Sequence, residues 1–525
     1  MGEEKVNKYI RYILWIAGLI FVLRIPTLYQ HIVDIDETAF SEFARIIMNG
    51  GLPYVDAIDN KPPLTYYFFY LVYAFSGTGS LYVIHWVTTF WVTATGVGLF
   101  FFSSRGERYK NGFVAALVFA FAMHTYEPKY ISTNGETLIN LFLVFSAFIF
   151  ISVKTYGLKN ILLHILSGIL LGLAVMTNYK AGILAVVFII HSLFIEPMLC
   201  RERVIKFREG FIKLCITGFS SLLPVAAFAL LFHCKGNFDE ALFWGFLYNF
   251  GYIESGKGAF SSFKIIGRTG YFIILTLPAW ILSVKYFIDR FSGLKSAVKS
   301  GGSKIDYSRP LFIFIWLGFS VYAATIGGRG YGHYFIQIVP PLSLAAAEGY
   351  SFISKNYRLF WVWLALPAII FTASRIDILK SYELVNYPNY RSEISFRKTG
   401  EYIKSVSAPE DKIYTWGWGT PVYYFADRRS ASRFLISDFI SGRIFGTSNS
   451  STAMRSEMQE KFMPLFMDDL KRNRPLFFVD TSPSGYFGYD RFPINLYPEL
   501  DSFIRDSYQK DSVIDGIVIY KRKPD

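Results

Sequence analysis

Charge is scarce in this sequence. Of its 525 residues only 18% are Asp, Glu, Lys or Arg, against 52% apolar and 19% aromatic. That balance excludes a disordered chain and argues against an ordinary soluble enzyme. Cysteine is scarcer still: Cys200, Cys215 and Cys234 cannot build a disulfide framework and show no metal-ligand spacing. There is no evident internal repeat, which argues against a solenoid. No small-residue cleavage site follows the first apolar run, so the N-terminus does not read as a cleavable signal peptide. No acidic residue falls in the middle of an apolar run, where a proton- or ion-coupled transporter usually needs one. What remains in excess is positive charge, 53 Lys+Arg against 40 Asp+Glu, for a net +13. Such an excess suits either nucleic acid or a membrane.

Its distribution decides between them. Residues 377–525 hold 21 basic and 20 acidic residues and read as a soluble domain. Residues 1–376 contain apolar runs near the roughly 20 residues that cross a bilayer as helix. The expected spans are 10–29, 81–103, 111–125, 137–153, 161–177, 182–198, 214–233, 269–284, 310–326, 334–350 and 358–374, eleven in all. The stretch 64–76, LTYYFFYLVYAFS, is short and follows Lys61-Pro62-Pro63, so it reads as a helix at the interface. Counting it would make twelve and move the C-terminal domain to the other side. Alternate connections, beginning with the N-terminus, carry 21 of the 32 basic residues before the soluble domain, against 9 acidic ones. The positive-inside rule makes that side cytoplasmic and residues 377–525 extracytoplasmic. The outer side of the membrane part balances at 11 and 11. The basic excess therefore reports orientation in a membrane, and nucleic acid is not an expected partner.

Unusual residues collect in the outer connections. The first, about 30–63, carries Asp34, Asp36, Glu37, Asp56, Asp59 and Lys61. Ala39, Phe40, Phe43, Ile46 and Ile47 recur at helical spacing, so 38–48 reads as an amphipathic surface helix ended by Gly50-Gly51. Asp36-Glu37 at its start suits N-terminal capping, and equally a general base or metal ligand mounted on a rigid helix end. Lys61, stiffened by Pro62-Pro63, reads either as a snorkelling interfacial lysine or as a point charge for a lipid phosphate. Glu136, in YEPKYISTNGE, stands at the head of an apolar helix and suits its dipole. Lys180 lies in the short connection TNYKAG, and Trp244, Tyr248 and Asn249 lie in a longer one, about 234–268. GGRGYGHYF at 327–335 presents Arg329, Tyr331 and His333 between glycines, which a plain turn rarely needs. His85 and His164, inside spans, read as packing or interhelical bonding. In the C-terminal part, 396–407 and 497–508 read as helices and 412–416, 475–480 and 513–521 as strands of a small α/β domain. Arg428, Arg429 and Arg433 read as a solvated face or as contacts to an anionic acceptor or headgroup.

Four elements in order carry a resemblance. They are Asp36-Glu37 with the amphipathic helix after it, Asp59-Asn60-Lys61-Pro62-Pro63-Leu64, Thr133-Asn134-Gly135-Glu136 at a span head, and Gly327-Gly328-Arg329-Gly330-Tyr331-Gly332-His333-Tyr334-Phe335 leading into QIVPPLSLAAA. Together they resemble the membrane-embedded, polyprenyl-phosphate-dependent glycosyltransferases of the GT-C class. That class includes the protein O-mannosyltransferases and the lipid A aminoarabinose transferase; the nearer likeness is to the bacterial branch called glycosyltransferase family 39-like. The resemblance covers the whole membrane part, and the stretch 413–434 is similar to some bacterial members. One departure is Asn60, where relatives commonly carry an acidic residue.

The resemblance implies a polytopic α-helical protein of the bacterial inner membrane, with about eleven spans, interfacial helices and a small extracytoplasmic α/β domain. It implies inverting transfer of a sugar from a polyprenyl monophosphate to a lipid, glycan or protein hydroxyl. Asp36 would be the general base, with Glu37 beside it. Lys61, Arg329, His333 and Tyr331 would bind the donor phosphate. Glu136 and Asp59 would orient the acceptor or a divalent cation, Mg or Mn. The alternatives are a flippase or transporter for lipid-linked sugars, which would want polar groups inside the spans, and a polysaccharide polymerase or ligase, whose large polar loop usually falls late in the chain.

Overall fold

A computed structural model describes residues 3–104, 109–251, 262–292, 294, 307–326, 330–350, 357–380, 388–443 and 452–524. The chain divides into two compact units. Met1–Val33, Tyr82–Leu231 and Ser261–Lys380 form one, and Asp34–Leu81, Phe232–Phe260 and Ser381–Asp525 form the other.

The first unit is a bundle of apolar helices. Among the described residues eight helices are long and apolar enough to cross a membrane: Val6–Tyr29, Leu81–Ser103, Gly135–Ser152, Leu158–Thr177, Tyr179–Leu199, Arg203–Lys235, Ser308–Thr325 and Arg358–Arg375. A ninth arises if Ile265–Leu275 and Leu277–Phe291, bent by 80°, count as one span. Two of the eleven expected runs differ. The run 111–125 is the 14-residue helix Tyr109–Ala122. The run 334–350 is a 3-10 segment, Gly332–Ile338, leading into the 12-residue helix Val339–Tyr350. Both are buried along nearly their whole length. A buried helix and a spanning helix are equally apolar, so composition alone does not separate them.

Lipid-like packing rules hold this bundle. With no hydrophobic drive between helices in a membrane, close backbone approach and interhelical hydrogen bonds take over. Ser146 and Ser167 bond reciprocally, each hydroxyl donating to the other's carbonyl, at 2.8 and 2.9 Å. Gly168 and Gly172 lie so close to the helix Arg203–Lys235 that a Cβ at either would stand 2.2 Å from the carbonyl oxygen of Thr217 or Ser221. A buried ion pair, Arg309–Glu348 at 3.3 Å, is completed by the Phe102 carbonyl, which accepts from Arg309 at 2.8 Å. His164 is buried and its Nε2 donates to the Lys154 carbonyl at 3.3 Å, in line with a packing role.

The second unit is built on a five-stranded sheet, β1 (Lys412–Trp416), β2 (Arg429–Ser430), β3 (Phe477–Asp480), β4 (Tyr508–Ile514) and β5 (Ile517–Arg522), ordered β2-β1-β3-β5-β4. β2, β1 and β3 run parallel, and β5 and β4 complete the sheet antiparallel. The run 513–521 is thus two strands joined at Asp515-Gly516, both in the left-handed region, as a two-residue hairpin turn requires. The helices Pro388–Ser405 and Thr420–Ala426 bury Phe396, Ile403, Val422 and Tyr423 against Ile413, Phe477, Val479, Ile517 and Ile519. Ile35, from the first outer connection, packs on this same core.

Of the C-terminal arginines, Arg428 and Arg433 are tied into the fold, while Arg429 stays exposed as part of a solvated face. Arg428 is buried and donates to the carbonyls of Lys404, Ala426, Asp427 and Ser407 and to the Ser407 hydroxyl. Arg433 makes a bidentate pair with Asp469, at 3.0 and 2.9 Å. Arg429 donates to Asn49 at 2.8 Å.

Asp480, at the end of β3, is buried and pushed up to about 6 by desolvation, against the opposing hydrogen bonds from Ser482. A carboxyl raised on folding holds its proton more tightly in the native state, so its contribution to stability is greatest at low pH and is lost as pH rises towards 6. Burying the charge then costs on the order of 3 kcal/mol at neutral pH. Asp480→Asn is expected to melt higher than the parent near pH 7.5, with the difference closing as pH falls to about 3, below the ordinary carboxylate value, where the aspartate is neutral folded and unfolded. A variant-minus-parent difference in melting temperature that does not change with pH would contradict this.

Candidate active site

The second unit assembles the first group of site residues. The helix Ile35–Met48 starts where Asp34 takes an extended conformation. The Asp34 side chain accepts from the Asp36 N–H at 3.1 Å, and the Glu37 carboxylate accepts from the Asp34 N–H at 3.3 Å, a complete capping box. Capping therefore falls to Asp34 and Glu37, while Asp36 gives the cap its backbone N–H. Both acids are buried, Glu37 completely and Asp36 to 8% exposure. Thr38, one residue on, shares a buried 2.7 Å hydrogen bond with Thr420, and Arg45 pairs with Asp427. Glu42, buried on the same helix, is raised above the usual carboxylate range by desolvation, which Arg45 offsets in part. The helix is thus fastened to the sheet domain at both ends. On its other side Phe43 stacks on Tyr66 at 4.1 Å and Ser41 bonds Tyr73 at 2.8 Å, which seats the interfacial helix Leu64–Ser76.

Between these two helices lies the loop that carries Lys61. Lys61 pairs with buried Asp59 at 3.2 Å and sits 5.0 Å from the Phe40 ring, its side chain 37% exposed. Asp59 also accepts from the Asn60 N–H at 2.7 Å. The Tyr54 hydroxyl donates to the Lys61 carbonyl at 2.7 Å, and the Ile58 N–H donates to the Arg433 carbonyl at 2.8 Å. A lysine held this way presents a charge on a fixed backbone, beside a carboxylate counter-ion.

The first unit assembles the second group. Asn134 caps the helix Gly135–Ser152 by accepting from Thr137 N–H at 2.9 Å. Glu136, nearly buried, faces Lys180 at 3.9 Å, and the Lys180 ammonium lies over the Tyr334 ring. His333 approaches Glu127 at 3.9 Å and stacks on Tyr331 at 5.5 Å between ring centroids. Arg268 lies over the Tyr331 ring at 5.9 Å and donates to the Gly330 carbonyl at 3.3 Å. Gly332 makes room here: a Cβ would stand 2.2 Å from the Tyr126 ring and 2.6 Å from the Glu127 carboxylate, and those side chains would have to shift. Arg329 lies outside the described residues. Sequence reasoning assigned no role to Lys180, Glu127 or Arg268; isolated charges in outer connections carry no motif, and only the fold pairs them with Glu136, His333 and Tyr331.

Both groups can be set beside solved structures. The chain is similar to ArnT from Cupriavidus metallidurans bound to undecaprenyl phosphate, at 11% identity over 100% of both chains, with a TM-score of 0.63. The fold is GT-C-like. The archaeal oligosaccharyltransferase AglB from Archaeoglobus fulgidus, in complex with an inhibitory peptide and a dolichol-phosphate, matches at 12% identity and a TM-score of 0.53, over 99% of this chain and 75% of that one. A second AglB structure, complexed with Zn and sulfate, matches at 11% identity and 0.52, over 97% and 73%. No family model matches the sequence, and no curated protein is similar to it at a significant level. The GT-C-like chain is accordingly a polytopic α-helical membrane protein with a small mixed-sheet domain.

No group of three or more His, Cys, Asp or Glu side chains among the described residues could hold a metal ion. Asp59 is engaged by Lys61 and Glu136 by Lys180.

Proposed function

We propose that the protein is an inverting glycosyltransferase that moves a sugar from a polyprenyl monophosphate to an acceptor hydroxyl at the outer face of a bacterial inner membrane. The observation that carries this reading is the end-to-end likeness of the fold to a structure bound to undecaprenyl phosphate. In this chain such a ligand meets an outer connection carrying both a buried acid and a fixed lysine. The N-terminus is cytoplasmic and residues 377–525 extracytoplasmic, on the strength of the basic connections.

The chemistry follows from what the transfer needs. Asp36 removes the proton from the acceptor hydroxyl as that oxygen attacks the anomeric carbon, and the bond to the phosphate oxygen breaks on the opposite side. Glu37 holds the helix end that presents Asp36. The departing phosphate gathers negative charge and needs cations more than it needs a proton. Lys61 supplies one, with Asp59 as its counter-ion. Arg329, His333 and Tyr331 serve the phosphate from the glycine-rich loop, and Glu136, paired with Lys180, orients the acceptor.

The test is a transfer assay with radiolabelled polyprenyl-phosphate sugars on sealed vesicles of known orientation. Transfer is expected when donor and acceptor are supplied on the extracytoplasmic side, and Lys61→Ala is expected to raise the donor KM about tenfold or more. No transfer from a broad donor panel in either orientation overturns the reading; transfer from the cytoplasmic side alone overturns the topology.

A further inference from the structure

The segment after the long helix Arg203–Lys235 grips the lysine loop at three points. Asn237, buried, donates its amide to the Pro53 carbonyl at 2.9 Å. Asn249 donates to the Asn60 carbonyl at 2.7 Å and to the Gly245 carbonyl at 3.2 Å, while its own oxygen accepts from the Asn60 amide at 3.3 Å. Between them Gly245 lies flat on the Tyr54 ring, where a Cβ would stand 3.2 Å away. Tyr54 is the residue whose hydroxyl holds the Lys61 carbonyl, and Phe232 packs edge-on against it at 5.8 Å. Tyr54 itself sits at φ +69°, a conformation costly for a bulky side chain and kept only where surrounding contacts enforce it.

The loop's own turns, such as Tyr54 N–H to the Ala57 carbonyl at 2.7 Å, are thus supplemented from outside. The backbone carbonyls at 53, 60 and 61 are each taken by a side-chain donor, two of them from residues 237–249. Asn60 gains a specific meaning here. Its amide and carbonyl together form a reciprocal pair with Asn249, which a carboxylate at position 60, lacking donors, could not complete.

We infer that Asn249, with Gly245 and Asn237, is a positioning element for donor binding: it acts through the backbone of residues 60–61 to fix the Lys61 ammonium where the lipid phosphate is received. This rests on the reading of Lys61 as a phosphate ligand. A positioning role of this kind is worth much in affinity, because a misplaced charge forfeits the hydrogen-bond geometry that a phosphate rewards.

The sharp variant is Asn249→Asp. It keeps the side chain's shape but turns an amide donor into an oxygen facing the carbonyls of Asn60 and Gly245. Full-length protein in nanodiscs would be titrated with undecaprenyl monophosphate, comparing the parent, Asn249→Asp, Lys61→Ala and the double variant. Asn249→Asp is expected to weaken binding about tenfold. It should add no further loss in the Lys61→Ala background, because the clamp has nothing left to position. Parental affinity in Asn249→Asp, or an equal added loss in the double variant, overturns the inference while Lys61 keeps its role. If the parent does not bind the lipid, or Lys61→Ala binds it as well as the parent, the functional reading fails and takes the inference with it. Should Asn249→Asp fail to fold, Gly245→Ala presses on Tyr54 from the neighbouring turn and is held to the same non-additive outcome.

Discussion

Asp36→Asn is expected to lower turnover by about 10²–10⁴-fold, the range that a positioned general base contributes. The substitution is clean for a structural reason. The capping box draws on the Asp34 side chain, the Glu37 carboxylate and the backbone N–H of residue 37, and Asp34 also accepts from the N–H of residue 36, which an asparagine retains. The helix should therefore start at the same residue, and the melting temperature should stay within a degree or two of the parent. Donor KM should be nearly unchanged as well, since the proposed mechanism gives the phosphate charge to Lys61. Loss of turnover with stability and donor affinity intact separates chemistry from architecture. Glu37→Ala is the contrast: it removes one half of the capping box and should cost about 1 kcal/mol of stability. If Asp36→Asn retains full turnover, the base is another residue.

Gly172→Val should disable the bundle itself. The helices Leu158–Thr177 and Arg203–Lys235 meet along Gly168 and Gly172, four residues and roughly one turn apart. A Cβ there meets backbone carbonyl oxygen at 2.2 Å, and backbone cannot rotate aside as the end of a side chain can. The helices must separate, and the close packing along that seam is what holds them together in lipid. Overpacking of this kind costs about 1–3 kcal/mol or more. In thermal melts that is a fall of roughly 3–10 °C, and more for Gly168→Val and Gly172→Val together. Gly218, on the second of these helices, has open space around its Cβ position. Gly218→Ala should be neutral or slightly stabilising, through helix propensity alone. A Gly172→Val protein as stable as Gly218→Ala would mean that the seam is looser than these distances require.

Several of these features are legible in the sequence. Asp34, Asp36 and Glu37 ahead of an apolar periodicity, and Gly50 after it, mark a helix that spans Ile35–Met48. The GT-C-like fold follows from motifs in order along the chain. Other features are not legible, for identifiable reasons. The helices Tyr109–Ala122 and Val339–Tyr350 are as apolar as spans because they are buried in protein, and hydropathy reads burial without saying by what. Asp515-Gly516 is a strong hairpin signal, but it lies inside a β-rich run that reads as one strand. Arg428 and Arg433 look like surface charge, since nothing local announces that Asp469 or the carbonyls of 404 and 407 will reach them. The clamp of Asn249 on Asn60 joins residues 189 apart in sequence. No pattern within a window records such a pairing.

The hydrogen bond between Thr38 and Thr420 spans 382 residues, and it sets an order of events during synthesis. The acidic helix is made well before the surfaces that fasten it, from Thr420 and Asp427, which follow 382 residues later. Closing so long a loop is an entropic cost met only when the sheet domain folds. Until then the helix Ile35–Met48 has only the helix Leu64–Ser76 to pack on, so a nascent chain stopped before β1 should contain its membrane helices without the contacts that fasten the Asp36 helix to the sheet domain. In this protein, catalytic competence would be acquired only once the sheet domain has folded onto that helix.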